Sequence, residues 1–503
     1  MVAKSIINFV FNLKQDEFPD LDFILIITSC LNSLKLIAQI DSEFASENIG
    51  EILGICKSFI LFSIPDFPHQ PPVKIASSQQ AIMEPVAIRP NKRAIGMATK
   101  AKRTRNKVNK KKVEVVESHR TYGGFTETQT SFLQFPSFPA YKTSDSDYSD
   151  TEHNRDIINR HKQSKLRLSA LSLLSVIAVT VEKKFLFGYW HSLFTTEEST
   201  APTLINCVLK DSSPRCRILA LQTIIQLLKN SKPFLIQAEN KEKAPTTFTP
   251  FSVTLGNMIV FTYEKLTHAL IKEGDLTVLT QILKCISIFI PATPFHRLKP
   301  GIVTGFVKYV RLLIRHKDPT IKVAALIVMG NLISISDVTS EIYELVEIPK
   351  SKIEFSWKKI DESIRSVNVN QENDEEIVDL EFEDEDEESE ENEVDTKTET
   401  VKMSWLLQTV LENLGVFNGA MKQPSPATSV RVESLQILGA MASHFLLLKD
   451  HLLSISMGIV KSLQVGQADE KMYSSRALEF LGSSINIYLT QGEKNVNIFL
   501  QFL

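Results

Sequence analysis

The chain has 503 residues, and 43% of them are apolar, so it is long enough to bury a large hydrophobic core. The formal net charge of −3 hides strong local asymmetry, because one segment is purely basic and another is almost purely acidic. The five cysteines are widely spaced and include no Cys-x-x-Cys pair, which argues against a disulfide framework and indicates free thiols in a reducing, intracellular compartment.

The first predicted elements lie in residues 1–65, where apolar side chains recur at helical spacing in two stretches joined by the polar segment Asp41–Glu47. We expect one helical hairpin there, the first repeat of the chain. The apolar run Leu21–Ile40 is long enough to cross a membrane. A buried helix without membrane insertion is favoured, because polar residues interrupt the run at Asn32, Ser33 and Lys35.

Residues 66–160 lack periodicity and contain many prolines, so we predict a disordered insert. Its basic residues form a run from Lys92 to Lys112 that contains no carboxylate. A solvated linker and a direct contact with nucleic-acid phosphates are two interpretations of this run. The third is a two-part nuclear-import signal, which would consist of Lys92, Arg93, Lys100, Lys102, Arg103 and Arg105.

Three serines near the end of this insert lie among aspartates and a glutamate. Their surroundings are similar to those of sites for acidophilic kinases. We therefore expect a phosphoprotein, with each phosphate adding about −1.5 to −2 charges. The candidate positions are Ser144, Ser146 and Ser149.

Helical periodicity returns in residues 161–348, where a basic residue is followed three positions later by a small one. This theme recurs after 50 residues, from Ala170 to Ala220, and after 43 residues, from Ser434 to Ala477. Periods of roughly 40–47 residues with two helices each are typical of HEAT and armadillo arrays. The candidate repeat-signature residues are Arg167, Asp211, Arg217, Asp318, Pro319, Lys322 and Arg431.

Residues 349–402 interrupt the array, and the acidic run Glu372–Asp395 holds sixteen carboxylates and no basic residue. Like charges at this density extend a chain, so we predict a second disordered insert. It is a solvating loop, a docking site for basic partner proteins, or a segment that folds back on the basic insert. Residues 403–503 resume the helical pattern as HEAT-like repeats, which we expect to be truncated. Self-association is expected through the apolar residues Phe499, Leu500, Phe502 and Leu503.

Several strings resemble the HEAT repeat-containing protein 6 family of armadillo-like proteins, and they occur in the family's order. They are the acidic serine stretch 144–152, Glu182–Trp190, Thr249–Val253 and Arg315–Val323. The resemblance is densest over about 144–335. It implies a helical domain of unassigned function, no catalytic residues, and relatives about twice as long, of which this chain would be an N-terminal portion or a short isoform.

No phosphate-binding loop, nucleophile elbow or metal-ligand spacing occurs in the sequence, so we expect no enzyme, no cofactor and no small-molecule substrate. The predicted fold is an all-α, armadillo/HEAT-like α-solenoid with two long disordered charged inserts. The predicted function is a non-enzymatic protein-interaction scaffold, located in the nucleus, the cytoplasm or both. The alternatives are a nuclear factor that contacts nucleic acid or chromatin through the basic insert, and a transport-receptor-like carrier of basic cargo.

Overall fold

A computed structural model describes residues 2–15, 19–77, 152–195, 201–240, 250–346, 404–417, 420–421, 424–444, 449–464 and 471–490. The basic run, the three candidate phosphorylation sites, the acidic run and the apolar segment at 499–503 lie outside the described residues. Their predicted properties therefore remain predictions.

The described residues form helices almost throughout, with a single pair of two-residue strands. In chain order the elements are α1 (Val2–Asn12), α2 (Asp20–Ile40), α3 (Ser42–Glu47), α4 (Ile49–Phe59), α5 (Glu152–Thr180), α6 (Lys183–Leu186), α7 (Trp190–Phe194), α8 (Leu204–Lys210), α9 (Pro214–Leu228), α10 (Lys232–Leu235), α11 (Phe251–Lys272), α12 (Leu276–Phe289), α13 (Ile302–Leu313), α14 (Pro319–Ile333), α15 (Ser340–Val346), α16 (Trp405–Leu414), β1 (Val416–Phe417), β2 (Ala420–Met421), α17 (Thr428–His444), α18 (Lys449–Gln464) and α19 (Lys471–Thr490). Short 3₁₀ turns lie at Phe187–Tyr189, Ile290–Ala292 and Phe295–Arg297.

Seven helices stack side by side in chain order, and we call this layer the ladder. Each packs against the next one, in the order α2, α5, α9, α12, α14, α17 and α19. A second layer lies against the ladder, in which α8 packs on α11, α11 on α13, α13 on α15, and α15 on α16. Two layers of paired helices in a row are an α-solenoid, so the predicted fold class is confirmed.

Both predicted inserts leave the ladder unbroken. Helix α14 packs directly against α17, although residues 334–427 lie between them in the sequence. At the first insert, α5 packs against both α2 and α4, although residues 60–151 separate α4 from α5 in the sequence. The array is therefore held together by contacts between helices and not by chain continuity.

The first insert is shorter than the predicted range of 66–160. Helix α5 begins at Glu152, and its first turns expose Ile157 and Ile158 to solvent. The sequence could not indicate these turns, because exposed helix turns do not require apolar residues at helical spacing. At the other boundary, residues 66–77 pack against α4, where the sequence predicted disorder.

Two glycines explain how that segment reaches α4. The main-chain N–H of Ile75 donates to the carbonyl of Gly50 at 3.0 Å. A Cβ atom placed on Gly54 would lie 2.1 Å from the carbonyl oxygen of Val73. The helix face therefore has to lack side chains where the segment crosses it.

One ladder helix, α14, is apolar on nearly all sides. Helix α14 is buried over most of its length, which suits a helix with neighbours on several sides. The side chain of Asn331 donates to the carbonyl of Ser287 at 3.0 Å and so joins α14 to α12. Between the layers, the Tyr263 ring stacks on Phe289 at 4.6 Å and on Phe306 at 5.4 Å.

Helix α2 is long and apolar enough to cross a membrane by length and composition. In the fold it belongs to the ladder and buries Phe23, Ile27, Leu31 and Leu34. The five cysteines are free thiols, and all except Cys30 are buried. Burial raises the pKa of the Cys56 and Cys285 thiols, so these cysteines are inert core residues.

Candidate interaction surface

The strongest contact among the repeat-signature residues is a buried ion pair between two neighbouring repeats. The Nε atom of Arg167 donates to Oδ2 of Asp211 at 2.8 Å, and its Nη2 atom donates to Oδ1 at 3.0 Å. Arg167 also donates to the carbonyl of Phe62 at 3.2 Å. The two side chains are 5% and 0% exposed. One residue of α5 thus joins the first repeat to the turn between α8 and α9.

Burial by itself lowers the pKa of Arg167. The hydrogen bonds and the charge of Asp211 outweigh it, so the net effect is a raised pKa. This arginine therefore stays charged at every pH at which the protein is folded. A bidentate pair of this kind fixes the relative position of two repeats as well as their distance.

Arg217 and Arg431 share one local arrangement, although they lie in different repeats. Each donates from Nη1 to a main-chain carbonyl six residues earlier, that of Asp211 in one case and that of Ser425 in the other. Arg217 also donates to Glu273 at 3.0 Å. The shared geometry means that the two arginines occupy equivalent positions in their repeats.

The third theme sequence begins α14. The carboxylate of Asp318 accepts from the main-chain N–H of Thr320 at 2.7 Å, and Pro319 is the first helical residue. His316 supports the same turn, because its Nδ1 atom accepts from the main-chain N–H of Asp318 at 3.0 Å. Lys322 lies one turn further along the helix and is half-buried. These residues, like the arginines, organise helix ends.

The free side of the ladder has an unusual charge pattern. Helix α5 after Asp156, and the whole of α9, α12 and α14, contain no aspartate or glutamate. These helices and the residue after α9 present basic side chains at exposed or half-buried positions, and we call this surface the basic ladder face. It contains Lys165, Arg215, Lys229 and Lys284.

Uncharged polar side chains occupy the positions between these cations. Ser172, Gln222, Gln226 and Thr280 are half-buried on the same helices. Because neighbouring helices pack about 8–10 Å apart, the surface offers cations and hydrogen-bonding groups at a regular spacing. Such a surface suits an extended, negatively charged ligand.

Crowding of the cations is visible at one end of this face. Burial, and then the charge of Lys229, lower the pKa of Lys183 to about 8. The pKa of Lys284 is lowered by the same two causes. The Nζ atom of Lys183 is buried and has no hydrogen-bond partner among the described residues. A bound anion would relieve this repulsion.

A groove of about 530 Å³ lies between α4, the segment 66–77 and the region around α7. Its titratable lining side chains are Lys57, His69, Lys74 and His191, without a carboxylate. The His69 ring stacks on Phe59 at 5.2 Å, and burial lowers its pKa. His69 is thus a packing residue, and the groove contains no acid–base pair. Among the described residues, no group of three His, Cys, Asp or Glu side chains is placed to hold a metal ion.

Most aromatic residues of the segment 185–194 belong to the hydrophobic core. Phe187, Tyr189, Trp190 and Phe194 are buried, whereas Phe185 is 46% exposed. The Phe187 ring meets Trp190 edge-on at 5.2 Å and Phe251 edge-on at 5.3 Å. This cluster joins the end of α5 to α11 and leaves no peptide-binding groove of its own.

Sequence reasoning missed one buried charged residue. Glu433 in α17 is 7% exposed, and its Oε2 atom has no hydrogen-bond partner among the described residues. Burial raises its pKa to about 7, and the charge of Arg476 on α19 opposes this rise. The signal in the sequence was a single acidic residue in a helix that also contains Arg431 and several uncharged polar residues.

Comparisons with known proteins assign no activity to the chain. The model of a family described as a domain of unknown function (DUF4042) matches residues 165–342. An uncharacterised protein of Dictyostelium discoideum is 23% identical over 226 residues, which is 37% of this chain and 15% of that protein. A solved structure of a Kap121p mutant is similar over 68% of this chain and 25% of that one, with 10% identity and a TM-score of 0.33. The chain thus spans a minor part of both proteins.

Proposed function

We propose that this protein is a non-enzymatic interaction scaffold whose basic ladder face binds acidic segments of other proteins. One observation supports the proposal most directly: the three successive ladder helices α5, α9 and α12, with the residue after α9, present cations and contain no carboxylate beyond Asp156. A helical array without a functional role for this face would be expected to mix both signs of charge.

The expected affinity follows from the number of contacts. An exposed ion pair contributes about 0.2–1 kcal/mol, so three or four pairs along the face give a moderate, salt-dependent affinity. Glutamine and threonine side chains between the lysines would add hydrogen bonds to the backbone of an extended ligand. Charge complementarity would mainly speed association and select acidic partners over basic ones.

The test is a charge reversal on this face. The triple variant Lys165→Glu, Lys229→Glu, Lys284→Glu should bind a fluorescent poly-glutamate peptide at least ten-fold more weakly than the wild type at about 50 mM salt. A matched variant with Lys272→Glu and Lys308→Glu, on the second-layer helices α11 and α13, should bind as the wild type does. Equal affinity of the triple variant and the wild type would contradict the proposal.

We also propose two further roles, which rest on the sequence alone. A nuclear factor would contact nucleic acid through the basic insert, and deletion of residues 90–113 should then remove binding to DNA and heparin. A carrier of basic cargo would use the acidic insert, and amide substitutions over 383–391 should then abolish binding of basic peptides. The nuclear-import signal and the phosphorylation of Ser144, Ser146 and Ser149 belong with these proposals.

We also propose the closer relationship to the HEAT repeat-containing protein 6 family. It is supported by the agreement between the family match at 165–342 and the region of densest resemblance at about 144–335. That relationship assigns no activity, and it is compatible with the scaffold function.

A further inference from the structure

Three cations crowd together at the turn between α13 and α14. Burial, followed by the charge of Arg315, lowers the pKa of Arg311. The same two causes lower the pKa of Lys322. Arg311 lies in the last turn of α13, Arg315 in the turn that follows, and Lys322 near the start of α14, which packs against α13. The fold therefore brings the three cations to one place, and we call them the α13–α14 cation cluster.

The chain returns from the acidic insert next to this cluster. The first residue of α16 is Trp405, and the guanidinium of Arg311 lies 4.7 Å from the centre of its indole ring. Ser404 caps the same helix by accepting from the main-chain N–H of Leu407 at 3.3 Å. The entry point of α16 is thus fixed in the fold within contact distance of the cluster.

We propose that the acidic run Glu372–Asp395 of this same chain docks on the α13–α14 cation cluster. Charge complementarity is one reason, since the run holds sixteen carboxylates and no basic residue. The length of the tether is the other reason. Asp395 lies ten residues before Trp405, and a segment of that length without regular structure spans about 17 Å on average and at most about 35 Å.

The short tether also decides between this site and the other basic segment of the chain. The basic run ends at Lys112, 260 residues before Glu372 in the sequence. A short tether gives an effective concentration in the millimolar range, which falls as the tether lengthens. Individually weak ion pairs can therefore stay formed at the cluster next to Trp405. This inference is independent of the proposed partner on the basic ladder face.

The experiment presents the run as a free peptide. The full chain is prepared with all sixteen carboxylates of the run replaced by amides, and binding of a labelled peptide with the sequence 372–395 is measured by fluorescence anisotropy. We expect binding to this neutralised chain, and at least ten-fold weaker binding to the wild type, because the attached run occupies the site. Equal affinity for the neutralised chain and the wild type would overturn the proposal.

A second set of variants locates the site on the neutralised chain. Arg315→Glu together with Lys322→Glu should weaken peptide binding at least ten-fold, and these substitutions leave the contact between Arg311 and Trp405 in place. Arg315→Gln alone, a milder change, should weaken it several-fold with an unchanged circular dichroism spectrum. Lys265→Glu together with Lys272→Glu on α11 should have no effect.

The two proposals can fail separately. Loss of peptide binding only in the variant Lys165→Glu, Lys229→Glu, Lys284→Glu would place the acidic run on the basic ladder face and overturn the docking at the α13–α14 cation cluster. That outcome would leave the scaffold function standing. Retained binding in both sets of variants would overturn the docking alone, because the scaffold function is tested by the poly-glutamate peptide.

Discussion

At the scale of single residues, the buried pair Arg167–Asp211 is the contact on which neighbouring repeats depend most. Its side chains are 5% and 0% exposed, so each charge is compensated only by the other and by nearby main-chain groups. The surface pair Lys210–Asp66 in the same region, at 3.5 Å, has both partners more than half exposed. The two pairs should therefore differ strongly in their effect on stability.

Replacing Asp211 by asparagine should lower the free energy of unfolding by about 3–5 kcal/mol, because it leaves the Arg167 guanidinium buried without a counter-charge. The matched surface change, Asp66→Asn, should cost less than about 1 kcal/mol. Urea denaturation followed by circular dichroism measures both values. A similar loss for the two variants would show that the buried pair has no special weight.

The stability of the protein should also depend on pH through Glu433. Its pKa of about 7 in the folded state lies above the value of an unfolded glutamate. The folded state favours the protonated carboxyl group of Glu433 over the ionised one. The stability that this preference contributes is therefore complete below about pH 4.5 and is lost as the pH rises through 7. The full difference corresponds to about 3 kcal/mol. Glu433→Gln should be more stable than the wild type at pH 8 and show a flatter pH dependence of unfolding.

The control for this residue is Glu479, which lies on α19 and contacts Arg476 at 2.7 Å while mostly exposed. Glu479→Gln should leave the pH dependence between 5 and 8 as it is in the wild type. If Glu433→Gln and the wild type unfold with the same pH dependence, the carboxylate of Glu433 is not held in an apolar environment.

At the scale of elements, the sequence predicted what local chemistry determines. The Asp318–Pro319 start of α14 is an example, because a capping carboxylate and a proline at the first helical position act within one turn. Contacts between residues that are far apart in the sequence could not be predicted. Arg167 and Asp211 were both identified as signature residues, but nothing local says that they pair across 44 positions. The buried position of Glu433 depends in the same way on its neighbouring helices.

The contact between α4 and the extended segment 73–75 was also invisible in the sequence. Gly50 and Gly54 lie one helical turn apart, a spacing that a sequence without an alignment does not mark as special. The prolines between Gly54 and residue 73 indicated disorder, whereas in the fold the segment 73–75 covers one face of α4. A glycine on a helix face indicates close packing only when the segment that crosses the helix is known.

Gly54→Ala should therefore destabilise the protein by about 1–3 kcal/mol, although alanine is the better helix former. Gly305→Ala is the matched control, since Gly305 lies in α13 and a Cβ atom there would meet nothing within 4 Å. It should stabilise the protein by about 0.5–1 kcal/mol. Thermal unfolding of the two variants measures both changes in stability. If both substitutions change the stability in the same direction, the close packing of residues 73–75 against α4 is refuted.

At the scale of the whole molecule, the ladder continues without a gap past both inserts. The period of about 40–50 residues predicted this architecture, because no single amphipathic hairpin can bury its apolar stripe alone. Ala220 and Ala325 are 105 residues apart, about two repeat periods, and α12 lies between α9 and α14 in the ladder. The charged face, by contrast, appears only when the helices are stacked, since its lysines come from different repeats.

Replacing residues 349–402 by a linker of about twelve Gly and Ser residues should leave the helical content unchanged. Helix α15 packs against α16, so the two ends that the linker has to join are close together. Relative to the chain with the sixteen carboxylates replaced by amides, in which no charged run is docked, the shorter loop should raise the free energy of unfolding by about 1.3 kcal/mol through a lower closure entropy. A calorimetric transition that moves to lower temperature would mean that the insert itself stabilises the array.

The direct contact between α14 and α17 has a consequence for proteolysis. A protease that cuts the chain between residues 347 and 403 severs a covalent connection that the array does not rely on. The two polypeptides stay assembled through the side chains buried between these helices, and the nicked protein migrates as a single particle. Digestion patterns on denaturing gels therefore report where the backbone is accessible, and say nothing about where this array comes apart.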